Sequence, residues 1–225
     1  MRILVTILAL VVTLSCAKAD AWQPAAAYAY APIARCAELS TAALKPNEAR
    51  YEICADQMAL FTAALAKARA ENKLLIVDFG ATWCPWCRSL QAQWQSPALL
   101  GHTSSGVDFA RTFDIIEIGI STVHAGRRRD VPSGHAVLAE VLAATAGTKQ
   151  RSVPFLAVID PNDRSKALAR NLDDFEMESA GRHDASFIRA FLVGAHDHMR
   201  KGGAAPTTPG WLRAKFNRAW MKLFG

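Results

Sequence analysis

The stretch Ala81-Thr82-Trp83-Cys84-Pro85-Trp86-Cys87-Arg88 constrains this chain more than any other. It sets two cysteines two residues apart, between the apolar run KLLIVDF (73–79) and the helix-like RSLQAQWQS (88–96). A buried strand that turns straight into a helix leaves free backbone N–H groups at the junction, and these favour a thiolate there. Pro85 fits the first helical position, where a missing N–H costs nothing. Four chemistries could use such a pair. A haem anchor needs His directly after the second cysteine, and Arg88 stands there. A structural zinc site needs two further ligands at close spacing, whereas Cys36 and Cys54 lie far upstream. A purely structural disulfide would close too small a loop to remove much chain entropy. The redox pair remains. In that reading Cys84 is the exposed attacking thiol. Cys87, one helical turn on and deeper, attacks the mixed disulfide and releases the product.

The chain opens with MRILVTILALVVTLSCAKAD: Arg2, an apolar run from Ile3 to Leu14, then Ala17-Lys18-Ala19. This layout predicts a signal peptide over residues 1–19, and its apolar run is too short to span a bilayer as a helix. A lipid anchor through Cys16 is disfavoured, because Thr13 stands where such signals usually carry Leu. Cleavage would remove Arg2 and Lys18 and no acid, taking the formal charge from +6 to +4. That mild basicity, spread among acids, gives little reason to expect a nucleic-acid partner, and export argues against one. Four cysteines then remain. An even count in an oxidising compartment suggests disulfides, and of the three possible pairings Cys84–Cys87 with Cys36–Cys54 is preferred. Cys36–Cys54 reads as a structural bridge pinning the N-terminal arm. A second redox pair is the alternative, and the spacing offers nothing for it.

The rest of the chain divides into an extension (20–54), a main domain (55–200) and a linker with a terminal helix (201–225). Residues 21–32 are rich in Ala and Pro and read as a loosely ordered arm. Over 56–72, Met58, Phe61, Leu65 and Ala68 recur at helical spacing. Strands are predicted at 73–79, 113–120, 153–160 and near 166–171, and helices at 88–96, around GHAVLAEVLAATAG, and at 184–200 with Asp184 as cap. This alternation implies an α/β sheet covered by helices. The run Arg127-Arg128-Arg129 reads as a solvated loop, with docking of an acidic partner as the sharper alternative. His196-Asp197-His198 invites a metal reading, but residues two apart on a helix point to different faces. His102, His124, His135 and His183 are scattered and carry no signal. In WLRAKFNRAWMKLF (211–224) Leu212, Phe216, Ala219 and Leu223 make an apolar stripe beside purely basic charge. That pattern suits an anionic membrane surface, or packing on the domain or a partner subunit.

IVDFGATWCPWC and SVPFLAVID together resemble thioredoxins, specifically secreted bacterial thioredoxin-like proteins with a WCxxC centre, over roughly residues 55–200. The resemblance implies a thioredoxin-like sandwich, a central mixed sheet flanked by helices. This would carry an N-terminal extension, an insert (121–151) before a cis-proline, and the basic C-terminal helix. It implies Cys84 as nucleophile and Cys87 as resolving thiol. It implies Asp78 as a buried proton acceptor and Pro154 as the cis-proline against the disulfide. Val153 would be the residue whose backbone pairs with substrate. Trp83 would pack beside the motif, and Pro85 and Trp86 would face the substrate. Two features depart from the pattern. Glu117 stands where thioredoxin carries a lysine near the buried acid, so two carboxyls would raise each other's pKa. Pro85-Trp86 replaces Gly-Pro between the cysteines.

The expected activity is thiol–disulfide exchange on proteins in the bacterial periplasm, with no cofactor or metal and a membrane-bound redox partner. The VDF run and overall layout resemble reductases, and this direction is favoured. Pro85 and Val153 resemble disulfide-donating oxidases. The alternative of another class is a copper-binding or partner-docking protein. Stoichiometric copper binding lost in a Cys84→Ser/Cys87→Ser variant would mark it.

Overall fold

The computed structural model describes residues 22, 36, 49–96, 99, 106–145, 147–174, 183–203 and 205–206. The expected signal segment with Cys16, nearly all of the arm, and the expected helix 211–224 lie outside them. Helix α1 (Gln57–Ala70) starts where Asp56 accepts the Met58 N–H at 3.0 Å, and buries Met58, Phe61, Leu65 and Ala68 as its periodicity predicts. Strand β1 (Leu74–Ala81) follows, with all eight residues buried. It leads through the cysteine motif into α2 (Pro85–Trp94). The short helix α3 (Phe109–Thr112) runs directly into β2 (Phe113–His124). Beyond them come β3 (Arg127–Asp130), α4 (Pro132–Ala144), β4 (Phe155–Asp160), β5 (Asp163–Asn171) and α5 (Ala185–Lys201). The expected cap is present on α5, where Asp184 accepts the Ser186 N–H at 2.7 Å.

The strands form one sheet in the order β3-β2-β1-β4-β5. Only β1 and β2 are parallel; the other pairs are antiparallel. Central position explains the near-continuous apolar character of β1 and β4, interrupted in β1 by Asp78; both strands are covered on both faces. Leu75, Val77 and Phe79 point into one core with α1 and α4. Leu74 and Ile76 point into the other, against Leu90, Trp94, Ile188, Phe191 and Leu192 of α2 and α5. The architecture is the expected mixed α/β sandwich.

Two expectations need correction. Arg127–Arg129 are not a loop but most of β3, paired with β2 from His124↔Arg127 to Ser121↔Asp130. A two-residue turn, Ala125-Gly126 with φ of 49° and 71°, joins the strands, which is the geometry tight hairpins demand. An arginine run has no apolar alternation, so nothing in its pattern marks it as a strand. The arm is also not loose at Trp22. That residue is buried and stacks edge-on against Phe61 at 5.8 Å between centroids. A large aromatic carries much apolar area to bury, and Arg69 adds a hydrogen bond to the Trp22 carbonyl at 3.2 Å.

Candidate active site

The motif loop is held from three sides before the first cysteine is reached. Thr82 N–H donates to Ser121 O at 3.2 Å, and Thr82 O accepts the Ala49 N–H at 2.9 Å. Thr82 Oγ1 lies 3.0 Å from Thr122 Oγ1, a buried hydroxyl pair. Cys84 then takes extended backbone angles and caps α2, with Pro85 in the first turn as predicted. Cys84 and Cys87 are joined in a disulfide, with their Cα atoms 5.3 Å apart. The Cys87 N–H donates to Cys84 Sγ at 3.0 Å, so a reduced Cys84 would carry its charge against a backbone donor at a helix N-terminus. Cys84 itself is only 2% exposed, not the open thiol expected. Ala49, Tyr51, Ile53 and Val131 close over the pair. The cover comes from the N-terminal extension and from the residue before α4, which a motif-centred reading does not reach.

The Val153–Pro154 peptide is cis, and the Val153 carbonyl oxygen lies 3.5 Å from Cys84 Sγ. The later loop therefore meets the motif as the resemblance implies. Trp86 is 42% exposed, facing out from the middle of the motif. Trp83 is half-buried. Its indole N–H donates to Ser121 Oγ at 3.0 Å, and the Arg128 guanidinium lies 3.6 Å above its ring. The second bridge, Cys36–Cys54, is present with Cα atoms 5.3 Å apart, just ahead of the α1 cap.

Asp78 sits on β1 three residues before the strand's end, fully buried. Burial pushes its carboxyl up to about 7; the Glu117 charge adds to this, while hydrogen bonds from Trp94 and Tyr51 oppose it. Glu117 is directly opposite Asp78 in the β1–β2 register, near the buried acid as the resemblance implies. Its own carboxyl is raised by burial, against a hydrogen bond with Gln91. Trp94 Nε1 donates to Asp78 Oδ2 at 2.9 Å and Tyr51 Oη donates to Oδ1 at 3.4 Å. Burial and the two carboxylates hold the Tyr51 phenol well above its ordinary value, so it stays a donor.

Three residues around the site escaped the sequence reading. Trp94 was legible: it stands seven residues after Cys87, two turns along the same face of α2. Tyr51 was not, because it lies 27 residues before Asp78 in a segment with no periodicity. His183 carried no signal either, yet its imidazole is buried, has no hydrogen-bond partner among the described residues, and lies 6.0 Å from the Trp86 ring. Burial pulls its pKa down to about 4, against the Asp173 charge. His196 Nδ1 contacts Asp197 Oδ1 at 2.9 Å, while His198 Nδ1 turns to Gly203 O at 2.7 Å, so the two rings serve different local partners. Among the described residues no three His, Cys, Asp or Glu side chains gather as a metal site would require.

Residues 52–115 match the thioredoxin family model, a span that holds both cysteines and Asp78 and ends before Val153. Thioredoxin H4 of Arabidopsis thaliana is 48% identical over 31 residues, which are 14% of this chain and 26% of that protein. This chain thus spans about a quarter of the length of that curated relative. A disulphide isomerase from Xylella fastidiosa Temecula1 aligns in structure at 20% identity and a TM-score of 0.36, covering 56% of this chain and 79% of that one. The segment bearing the cysteine pair, residues 52–115, thus matches the thioredoxin family, and the mixed sheet flanked by helices around it is consistent with a thioredoxin-like fold.

Proposed function

We propose that this chain is an exported thiol–disulfide oxidoreductase that acts on protein disulfides in the periplasm, working as a reductase. The observation that carries the chemistry is the Cys84–Cys87 pair at the start of α2, with Cys84 Sγ on the Cys87 N–H and beside the Val153 carbonyl. In the reduced protein the Cys84 thiolate attacks one sulfur of a substrate disulfide, and the other sulfur leaves as a thiolate. The mixed disulfide then sits beside Cys87. Asp78 accepts the Cys87 proton, and the Cys87 thiolate attacks Cys84 Sγ, expelling the second substrate thiolate. Two electrons have passed to the substrate and the Cys84–Cys87 disulfide is restored. A membrane-bound dithiol donor returns the pair to its reduced state. Val153 and Trp86 line the approach of the substrate. Export rests on the leader-like residues 1–19, and the reducing direction on the VDF run and layout.

The test is the reduction potential of Cys84–Cys87, read by equilibration with glutathione buffers and mass-resolved trapping. A value near about −270 mV supports the reductase, and one near about −120 mV transfers the reading to a disulfide donor. Failure of the pair to cycle, or exchange that survives Cys84→Ser, would overturn the enzyme reading in favour of a binding protein.

A further inference from the structure

The run Arg127-Arg128-Arg129 is left unused by the exchange chemistry, yet the fold attaches it to the motif. The three arginines form most of β3, an edge strand on which all four residues are exposed. Three contacts wire this strand to the residue before Cys84. Arg128 stacks on the Trp83 ring at 3.6 Å. The Trp83 indole N–H donates to Ser121 Oγ at 3.0 Å. Ser121 Oγ in turn donates to Arg129 O at 3.1 Å. An arginine stacked on an aromatic face keeps the N–H edge of its guanidinium free for a carboxylate. The one acid on the strand, Asp130, stands at its far end and lies 3.5 Å from His135. Charged edge strands also stop sheets from pairing with one another. That purpose needs no contact with the motif loop, whereas here one of the three cations is seated on the tryptophan adjoining the reactive cysteine.

We infer that β3 is the docking rim for an acidic, extended segment flanking the reacting cysteines of the protein substrate. The inference rests on the exchange reading and names its substrate class. The carboxylates lie along Arg127–Arg129 while the substrate sulfur is presented to Cys84. Docking of this kind steers association and fades as salt screens it.

The experiment compares two synthetic peptides closed by the same Cys–Cys disulfide, one flanked by three Glu and one by three Lys. The full chain reduces them under a dithiol donor, and kcat/KM is followed against ionic strength. The acidic peptide is expected to react about ten-fold faster at low salt, from three exposed ion pairs, with the difference lost by about 0.5 M salt. In Arg127→Glu/Arg128→Glu/Arg129→Glu the preference inverts. In Arg127→Glu/Arg129→Glu, which leaves the Arg128–Trp83 stack in place, it is at least abolished. Equal rates for the two peptides in the wild-type chain, or a preference unchanged in the double variant, overturns the docking rim. If neither peptide reacts, the exchange reading fails instead. The rim is then judged by the anisotropy Kd of labelled peptides carrying Ser for Cys, where equal affinity of the acidic and basic forms overturns it.

Discussion

Each oxygen of the Asp78 carboxylate has its own donor, and the two are unequal. Trp94 at 2.9 Å is a full hydrogen bond, whereas Tyr51 at 3.4 Å is a weaker contact that still favours the charged form. Tyr51 packs beside the cysteine pair and donates to Asp78 but exchanges no proton or electron in the proposed reaction, so it acts as a positioning residue through Asp78. Removing a donor to the charged form raises the carboxyl pKa above its present value of about 7. Under the proposed reaction, the step in which Cys87 resolves a Cys84 mixed disulfide should follow Asp78 ionisation. Tyr51→Phe should therefore move the pH midpoint of that step upward, with the plateau at high pH retained. Asp78→Asn should erase the midpoint and slow resolution near pH 7 by about 100-fold. Stopped-flow release of a fluorescent thiol from the Cys84 mixed disulfide reads both. An identical midpoint in all three proteins would remove Asp78 as the base.

At the scale of elements, the route of the N-terminal extension is set by two glycines side by side in the sheet. Gly80 on β1 pairs with Gly119 on β2, and Tyr51 and Ile53 lie in the shallow trough they leave. A Cβ on Gly80 would stand 2.0 Å from Tyr51 Oη and 2.2 Å from Cζ, closer than atoms can approach. On Gly119 it would meet Ile53 Cγ2 at 2.8 Å. Gly80→Ala should thus expel the phenol from its place over β1 and cost about 2 kcal/mol in urea unfolding, as overpacking does. In a Tyr51→Ala background the same substitution should cost little. A coupling near zero in that cycle would mean the trough does not hold Tyr51. These contacts explain what could be read from sequence and what could not. Strands β1, β2, β4 and β5, the helix starts at Asp56, Cys84 and Asp184, the buried Asp78 and its neighbour Glu117 were legible, because period, caps and motif are local. Tyr51, His183 and the cover over Cys84 come from segments brought together only by the fold. The hairpin of β3 was hidden because its turn is Ala-Gly and its strand is all charge.

Across the whole molecule, the acids Asp78 and Glu117 and the buried His183 pull stability in opposite directions over one pH window. Asp78 has a folded pKa of about 7, above its ordinary 3.8. Its contribution is therefore greatest at low pH, where it is protonated in both states, and is lost as pH rises through 7. Glu117, also raised, adds to this limb. His183 has a folded pKa of about 4, below its ordinary 6.5, so its contribution is present above 6.5 and lost as pH falls through 4. Each limb is worth about 2–4 kcal/mol. Because they overlap, the intact oxidised protein should show only a shallow dependence between pH 4 and 7. Single substitutions should uncover each limb separately. Asp78→Asn should give a protein whose stability climbs from pH 4 to 6.5. His183→Gln should give one whose stability falls from pH 4 to 7. Guanidinium unfolding of the oxidised chain at half-unit pH steps measures all three profiles. If the His183→Gln profile runs parallel to the wild type, the imidazole is not held neutral beneath Trp86, and the shallow wild-type curve needs another cause. Opposed slopes in the two variants would instead show that the buried acid costs stability as pH rises towards 7, while the buried histidine costs it only as pH falls below 6.5.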